Sequence, residues 1–450
     1  MKLQETLNAV KSESILVEVF GLGYVGFPLA VRLAAGGIQV KGVDINAQRI
    51  ERLKNDELMD SEIYLKNEFV HCRNNNKLEL STTPEKSETP KIGIICVHTP
   101  IPDKNTPSNK FVKEAIEKFL GTSKPGDLII LESSVSSGTT EEMREIIELH
   151  GYKVGEDYGL CFCPERIDPQ NKKWNLENIP RIVYASDDTS FEIIQKIYKH
   201  VNNAHLFRVE SSRVAEVVKS YENAFRLVNI TLVNELAMLC DRLGIKVMDV
   251  INAAATKPFG FMPFYPSAGV GGHCIPKDPR FLLSAAKKFD TKFSTIENAL
   301  QINLEIPKYI CDSIEKNLEK RNLEKSVLIC GLTYKPNVED MRDSPGFKIL
   351  KEFKERNYKV SIYDPYFKKE LLEKYLKENF LDRLDFEHKN NLNDKSLENI
   401  GCLCIVQHHT KTKYRLSEIY EKSLVSFIYD CQSKLEKKLD SKTFLDSLGS

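Results

Sequence analysis

The chain has 450 residues, room for three domains at roughly 150 residues each. Its 64 Lys plus Arg balance 64 Asp plus Glu, so it lacks the positive field that binds nucleic acid or an anionic membrane surface. Hydrophobic residues at 41% and charged residues at 28% exclude disorder as the main state.

Met1 to Ser14 is polar and carries no apolar signal core, which points to the cytoplasm. The longest uncharged run, Pro258 to Pro276, approaches the length of a membrane span. Four glycines and four prolines interrupt it, so no continuous helix in lipid is expected. Through the first third, short β-branched runs alternate with helical segments, the pattern of parallel βαβ units. Strands are expected at Ile15 to Phe20, Gln39 to Val43, Ile92 to Val97, Asp127 to Glu132 and Leu160 to Cys163. A helix is expected over Tyr24 to Ala35, with others from about Lys110 and Thr140.

From Ser211 to Leu243 the chain has no proline, a helical period, and Gly244 at the stop. Such a helix is roughly 50 Å long. A Gly/Pro-rich loop, Pro258 to Pro279, precedes a second helical region ending near Glu319. Strands are then expected at Ser326 to Cys330, Val360 to Tyr363, Leu403 to Val406 and Leu424 to Tyr429, with nothing assigned beyond Lys434. The fold class is α/β: two Rossmann-like doubly wound lobes joined by a helical middle domain with one long central helix. The expected boundaries are 1–209, 210–320 and 321–450. VEVFGLGYVGFP and VLICGLTYKPN open the two lobes as a distant repeat, with Thr333 where the dinucleotide pattern wants glycine. The second lobe is therefore expected to hold a nucleotide in a different way.

Gly21-Leu22-Gly23-Tyr24-Val25-Gly26 fits G-x-G-x-x-G between an apolar strand and a helix. Gly21 permits the turn, Gly23 lets a pyrophosphate approach, and Gly26 allows close packing. The helix N-terminus adds free N–H groups and partial positive charge. Asp44 ends the next strand, where a carboxylate accepts both ribose hydroxyls and repels a 2′-phosphate. NAD is therefore expected over NADP. Arg49 is read as stacking near adenosine or reaching the pyrophosphate.

Eleven cysteines are scattered through the chain; Cys96, Cys330 and Cys404 read as small hydrophobes in strands. No CxxC pair exists, so neither a structural metal nor a disulfide framework is expected. Cys274 differs, lying after a glycine run in GVGGHCIPKDP with Lys277 and Asp278 close by. Cationic neighbours ease thiol ionisation, yet a lone cysteine in a tight loop is more often inert. His273 reads as structural. On the long helix, Lys219 and Asn223 are four apart and share a face, able to offer a cation and an amide to an oxyanion. An isolated pair of this kind is more commonly a solvated stripe.

Taken together, GLGYVG, CVHTP, ESSVSSGTT, CPERIDP, VAEVVKSYENAF, FYPSAGVGGHCIPKDP and GLTYKPNVEDMRDSPG resemble the UDP-glucose/GDP-mannose 6-dehydrogenases, in order from about Val17 to about Gln432. The resemblance implies four-electron oxidation of a sugar C6 alcohol to a carboxylate with two NAD in turn. It implies Cys274 as nucleophile, Lys219 and Asn223 as holders of the C6 oxygen, Asp278 at a water or proton, and Glu165 as acid/base. Thr99 and Ser134 would lie near the cofactor, faced by Lys277 and Arg342. Glu165, Arg166, Phe264, Tyr265, Ser267, Gly271, Tyr334 and Lys335 would contact a UDP-sugar. A homodimer is implied through the long helical region.

Three departures from the family pattern stand out; the first keeps the hydroxyl and the last two bear on the sugar. Ser134 stands where the family usually has threonine, Pro169 where UDP-glucose enzymes carry a second glutamate, and Ser267-Ala268 where Gly-Pro is common. With Asn175 to Ile182, the PER-x-DP turn resembles the branch acting on 2-acetamido sugars. UDP-N-acetylglucosamine is the expected substrate, ahead of UDP-N-acetylmannosamine and UDP-glucose. A two-electron hydroxyacid-type dehydrogenase would need neither Cys274 nor a second nucleotide lobe. A catalytically dead NAD-binding scaffold would not need to keep Cys274 and Lys219.

Overall fold

The Val, Ile and Leu runs become strands buried on both faces, as parallel sheets require. The computed structural model describes residues 2–102, 106–167, 171, 173–203, 205–367, 369–379, 381, 383–436 and 441–450. These divide into two compact units. The first takes the chain up to Glu222 together with Arg280–Lys292.

Its elements begin with α1 (Lys2–Lys11), β1 (Leu16–Phe20), α2 (Gly26–Ala35), β2 (Gln39–Val43), α3 (Ala47–Lys54), α4 (Lys66–Asn74) and β3 (Leu78–Ser81). They continue with β4 (Lys91–Ile95), α5 (Lys110–Leu120), β5 (Leu128–Leu131), α6 (Thr139–Leu149) and β6 (Gly159–Phe162). Then come β7 (Arg181–Ala185), α7 (Asp188–Lys199), β8 (Leu206–Arg208) and the start of α8 (Ser212–Leu243). The sheet order is β3-β2-β1-β4-β5-β6-β7-β8, parallel except where β6 meets β7. β1 pairs with β2 on one side and β4 on the other, so the winding reverses there. In open sheets of this kind, ligands bind beyond the carboxyl ends of the strands at such a reversal, here β1 and β4.

Successive strand residues face opposite layers. Val17, Val19, Ile92 and Ile94 enter one core with Phe27, Phe69 and Ile194. Phe20, Ile95, Ile129 and Leu131 enter the other with Ile116, Phe119 and Met143. The polar N-terminus, which carried no structural expectation, folds as α1 because Leu3, Leu7 and Val10 share one buried helical face.

The second unit holds Asn223–Pro279 and Phe293–Ser450. After the rest of α8 it contains α9 (Val247–Ala254), the first residues of α10 (Asp278–Lys288), α11 (Ser294–Lys320), β9 (Ser326–Cys330), α12 (Pro345–Glu355) and β10 (Lys359–Tyr363). It ends with α13 (Lys369–Glu378), β11 (Glu387–His388), β12 (Cys402–Ile405), α14 (Lys413–Glu421), β13 (Phe427–Asp430) and β14 (Phe444–Ser447). The sheet is parallel in the order β11-β10-β9-β12-β13-β14. Val233, Ala237, Val247, Ile251, Ile306 and Ile310 of the central helices pack with Val327, Ile329 and Phe347. The central helices thus share the second sheet's core. β14 extends that sheet from residues to which the sequence assigned nothing. Among the described residues, no helix is long and apolar enough to cross a membrane.

Candidate active site

The glycine motif forms the turn between β1 and α2. Gly21 has φ +89°, and a Cβ there would lie 2.9 Å from the Cys96 carbonyl oxygen. Both the left-handed backbone and the contact with β4 require glycine. Gly23 has open space where a Cβ would point, and Tyr24 is half-exposed. No side chain caps α2, whose N-cap is Val25, so its first N–H groups face the turn. The Leu22 N–H donates to Asp44 Oδ2 at 2.8 Å and the Asn46 N–H to Oδ1 at 2.9 Å, which locks the carboxylate at the end of β2. Asp44 stays partly exposed. This cradle fits a dinucleotide with free ribose hydroxyls.

Two expected site arginines have partners within the protein. Arg49 donates through Nε to the Leu22 carbonyl at 3.1 Å and through Nη2 to Glu62 at 2.5 Å, and its guanidinium lies over Phe27. With Glu62 buried, Arg49 braces the glycine turn from inside. Arg166 donates Nε and Nη2 to Glu222 and Nη1 to the Pro180 carbonyl. Its fork ties the Pro-Glu-Arg turn to α8.

At the carboxyl ends of β4, β5 and β6 the first unit gathers several expected residues. Thr99 is buried and its hydroxyl donates to the Ser134 carbonyl at 2.7 Å, joining these two positions. Beneath them Glu132 accepts from Arg181 Nη2 at 2.6 Å and from the Tyr198 hydroxyl. Arg181 Nη2 also donates to the Cys163 carbonyl at 3.1 Å, directly ahead of Pro164 and Glu165. This buried network anchors the turn that carries Glu165. Burial pushes the Cys163 thiol up to about 12, against the pull of Arg181, so it is an inert thiol. Pro169 lies outside the described residues.

Glu216 explains the Ser-Ser-Gly-Thr-Thr segment. Its carboxylate accepts from the N–H groups of Gly138 and Thr140 and from the Thr140 hydroxyl, each at 2.7 Å. It thus satisfies the N-terminus of α6. Burial pushes this carboxyl up, while the Thr140 and Gly138 donors pull it down. Lys219, one turn further along α8, is buried as well.

Cys274 is exposed in the second unit. The N–H groups of Lys277 and Asp278 donate to its carbonyl at 3.1 and 2.8 Å, closing a turn into α10. Asp278 is fully buried and accepts from Asn223 Nδ2 at 2.7 Å, with Lys277 Nζ 3.8 Å from its other oxygen. Asn223, Cys274, Lys277 and Asp278 are therefore one constellation. Tyr334 lies over Gly271 and Gly272, where a Cβ would meet it within 3 Å, and the Gly272 N–H donates to the Arg342 carbonyl. Phe264 packs edge-on against Phe225, and Tyr265 is exposed. Ser267 is held through its N–H by Asn234. The Lys335 carbonyl accepts from Thr333, and Arg342 is exposed, paired with Asp340.

The second lobe repeats the first turn with a different outcome. Leu332 N–H donates to Asp364 Oδ2 at 2.7 Å, as Leu22 N–H does to Asp44. Asp364 is buried, also accepts from Thr333 N–H, and sits against His409 Nε2 at 3.1 Å. Ser344 caps α12 through Gly346 N–H, where α2 has no cap. Acid and helix N-terminus are both occupied internally, so this lobe lacks the first lobe's dinucleotide cradle. Among the described residues no group of three or more His, Cys, Asp or Glu could hold a metal ion.

Sequence reasoning passed over Glu132, Arg181, Glu216, Asn234 and Asn303. The available signal was a charge placed against an apolar strand: Glu132 follows LIIL and Arg181 opens RIVYA.

The chain matches the UDP-glucose/GDP-mannose dehydrogenase family in its NAD binding domain over residues 15–202, its central domain over 213–305 and its UDP binding domain over 328–437. It is 33% identical to the UDP-N-acetyl-D-mannosamine dehydrogenase of Methanococcus vannielii over 95% of this chain and 91% of that one. It is also 33% identical to the UDP-N-acetyl-D-glucosamine 6-dehydrogenase of Salmonella typhi, over 79% and 83% of the two chains. The structure of UDP-D-ManNAc dehydrogenase from Pyrococcus horikoshii superposes with a TM-score of 0.83 at 28% identity, covering 97% of this chain and 99% of that one. The chain belongs to the UDP-glucose/GDP-mannose dehydrogenase family and is an NAD-dependent UDP-sugar dehydrogenase.

Proposed function

We propose that the chain oxidises the C6 alcohol of a UDP-N-acetylhexosamine to the carboxylate, consuming two NAD per sugar. The observation that carries this is the constellation of exposed Cys274 with buried Asp278 and Asn223. NAD, when bound, accepts a hydride at each oxidation; Gly21, Gly23, Gly26 and Asp44 would hold it, with Thr99 and Ser134 near its reactive end. In the first oxidation the alcohol also loses its hydroxyl proton and becomes the aldehyde. The Cys274 thiolate then adds to the carbonyl carbon, forming a C–S bond and an oxyanion that takes up a proton. Lys219 and Asn223 hold that oxygen by charge and hydrogen bonding. The second oxidation removes the carbon-bound hydrogen as hydride, with loss of the oxygen's proton, and leaves a thioester. Glu165 activates water, which breaks the C–S bond and releases the uronate and the thiolate. Asp278 fixes Asn223 and shares a proton.

A three-domain division at 1–209, 210–320 and 321–450 separates NAD binding, the catalytic loop and UDP binding along the chain. The substrate rests on relatives named for 2-acetamido sugars. UDP-N-acetylglucosamine stands first on the Pro-Glu-Arg turn, and relatives named for UDP-N-acetyl-D-mannosamine make that epimer its rival. Exposed Phe225, Leu232, Leu239 and Leu243 recur along α8, which supports a homodimer through this helix. A cytoplasmic location agrees with eleven cysteines, none of which forms a disulfide.

The test is NADH yield and kcat/KM across UDP-glucose and UDP-N-acetylated glucosamine, galactosamine and mannosamine. Two NADH per acetamido sugar are expected, and Cys274→Ser should form no uronic acid. One NADH per sugar, or acid at the wild-type rate from Cys274→Ser, overturns the covalent route. A preference for UDP-glucose overturns the branch assignment alone.

A further inference from the structure

Between Ala254 and Asp278 the chain has neither helix nor strand, yet it carries Cys274. No helix or strand ladder orders this loop, so side chains take a larger share. Two buried asparagines in helix interiors supply it. Asn303 of α11 accepts from the Val270 N–H at 2.6 Å and donates to the Val270 carbonyl at 3.0 Å, pairing both polar groups of one residue. Gly269 has φ +114°, and a Cβ there would lie 3.2 Å from Asn303 Oδ1, so glycine allows the approach. Asn234 of α8 accepts from the Ser267 N–H at 2.9 Å.

Asparagine is a poor helix former, and burying an amide is costly unless it is hydrogen-bonded. Asn234 and Asn303 are both deeply buried, at 1% and 4% exposure. An apolar side chain would leave loop N–H groups buried and unpaired. We infer that Asn303 and Asn234 are positioning residues that fix the backbone of Ser267 to Val270 and thereby the place of Cys274. The inference rests on Cys274 being the nucleophile. Asn303 carries the larger share: it makes two bonds, whereas Asn234 Nδ2 has no partner.

The test compares Asn303→Ala, Asn234→Ala and a control, Asn317→Ala. Asn317 also lies on α11, but its amide bonds Asp446 at 2.8 Å and the Ser313 carbonyl at 3.0 Å. Amide hydrogen exchange at Ser267 and Val270, the rate of Cys274 alkylation by iodoacetamide, thermal midpoint, kcat and both KM values are measured. Asn303→Ala should speed exchange at Val270 roughly tenfold. It should also shift the alkylation rate and lower kcat roughly 10- to 100-fold, with KM for NAD unchanged. Asn234→Ala should do the same at Ser267 with a smaller effect. Asn317→Ala should lower the midpoint and move none of the loop readouts.

Wild-type kcat in Asn303→Ala, with or without faster exchange, overturns the inference. So does a control that reproduces the same losses. If Asn303→Ala does not fold, unchanged exchange and kcat in Asn234→Ala overturns it. Failure of the nucleophile reading is distinguishable, because Cys274→Ser would then keep forming acid while loop exchange in Asn303→Ala still rises.

Discussion

Asn223 Nδ2 lies 2.7 Å from Asp278 Oδ2, joining the long helix to the residue that closes the Cys274 turn. Both side chains are buried, and a hydrogen bond to a charged group contributes about 1.5–3 kcal/mol. Asn223→Ala removes this bond and, in the proposed mechanism, the amide offered to the C6 oxygen. We expect kcat to fall by roughly 10²–10³, the effect of losing one oxyanion donor, with KM for NAD unchanged. Steady-state kinetics with both substrates checks this; a rise in KM for NAD at constant kcat would contradict it.

Asp44 holds the glycine turn through Leu22, and we propose that it also faces the ribose. Asp44→Asn keeps an acceptor for the Leu22 N–H but removes the charge that repels a 2′-phosphate. The variant should therefore narrow the preference for NAD over NADP while the fold stays intact. Asp44→Ala should narrow it too and also lower the thermal midpoint. Wild-type turnover with NADP equal to that with NAD would refute the assignment.

Arg181 and Glu132 form a buried pair at 2.6 Å. Removing one partner should cost about 3–5 kcal/mol, because the other charge is left buried. Replacing both by Met and Leu should cost less than the sum of the single changes. A double-mutant cycle by urea denaturation measures the coupling; strictly additive losses would show that the two do not act as a pair. The single variants should also slow acid release, because Arg181 holds the Cys163 carbonyl ahead of Glu165.

Burial pushes the Asp430 carboxyl up, but His408 Nε2 at 2.8 Å and the N–H groups of Gln432 and Leu435 outweigh it and hold it below its ordinary value. A carboxyl lowered on folding adds stability that is fully present above its unfolded pKa of about 3.9. That stability is lost as pH falls through the folded value. Asp430→Asn should therefore cost most at pH 7, and the gap to wild type should shrink below about pH 4. Denaturation midpoints from pH 7 to pH 3 give the answer, and a gap independent of pH would rule the linkage out.

Much of the architecture was legible because its signals are local. Gln39–Val43 and Ser326–Cys330 form strands over the residues expected, and the proline-free run becomes α8 from Ser212 to Leu243. Period-2 and period-3.6 burial depends on near neighbours along the chain, so sequence shows it. The glycine motif was readable for the same reason: a turn with positive φ at Gly21 restricts its own residues. Short elements with weak patterns were harder to see, among them α1, β8 and β14.

Partner choice is different, because a polar side chain bonds whatever the fold brings to it. Arg49 looked like a cofactor contact by position, yet folding brings Glu62 and the Leu22 carbonyl to its guanidinium. Arg166 looked like a substrate contact, and Glu222, 56 residues on, takes its fork. Asp44 and Asp364 end equivalent strands, but only Asp364 meets a buried histidine 45 residues away. Sequence alone determined the α/β class, the dinucleotide turn, the family and the exposed thiol's loop. Tertiary structure alone decided which charged groups brace the scaffold and through which partners, because a buried charge needs a partner and that partner comes from distant segments.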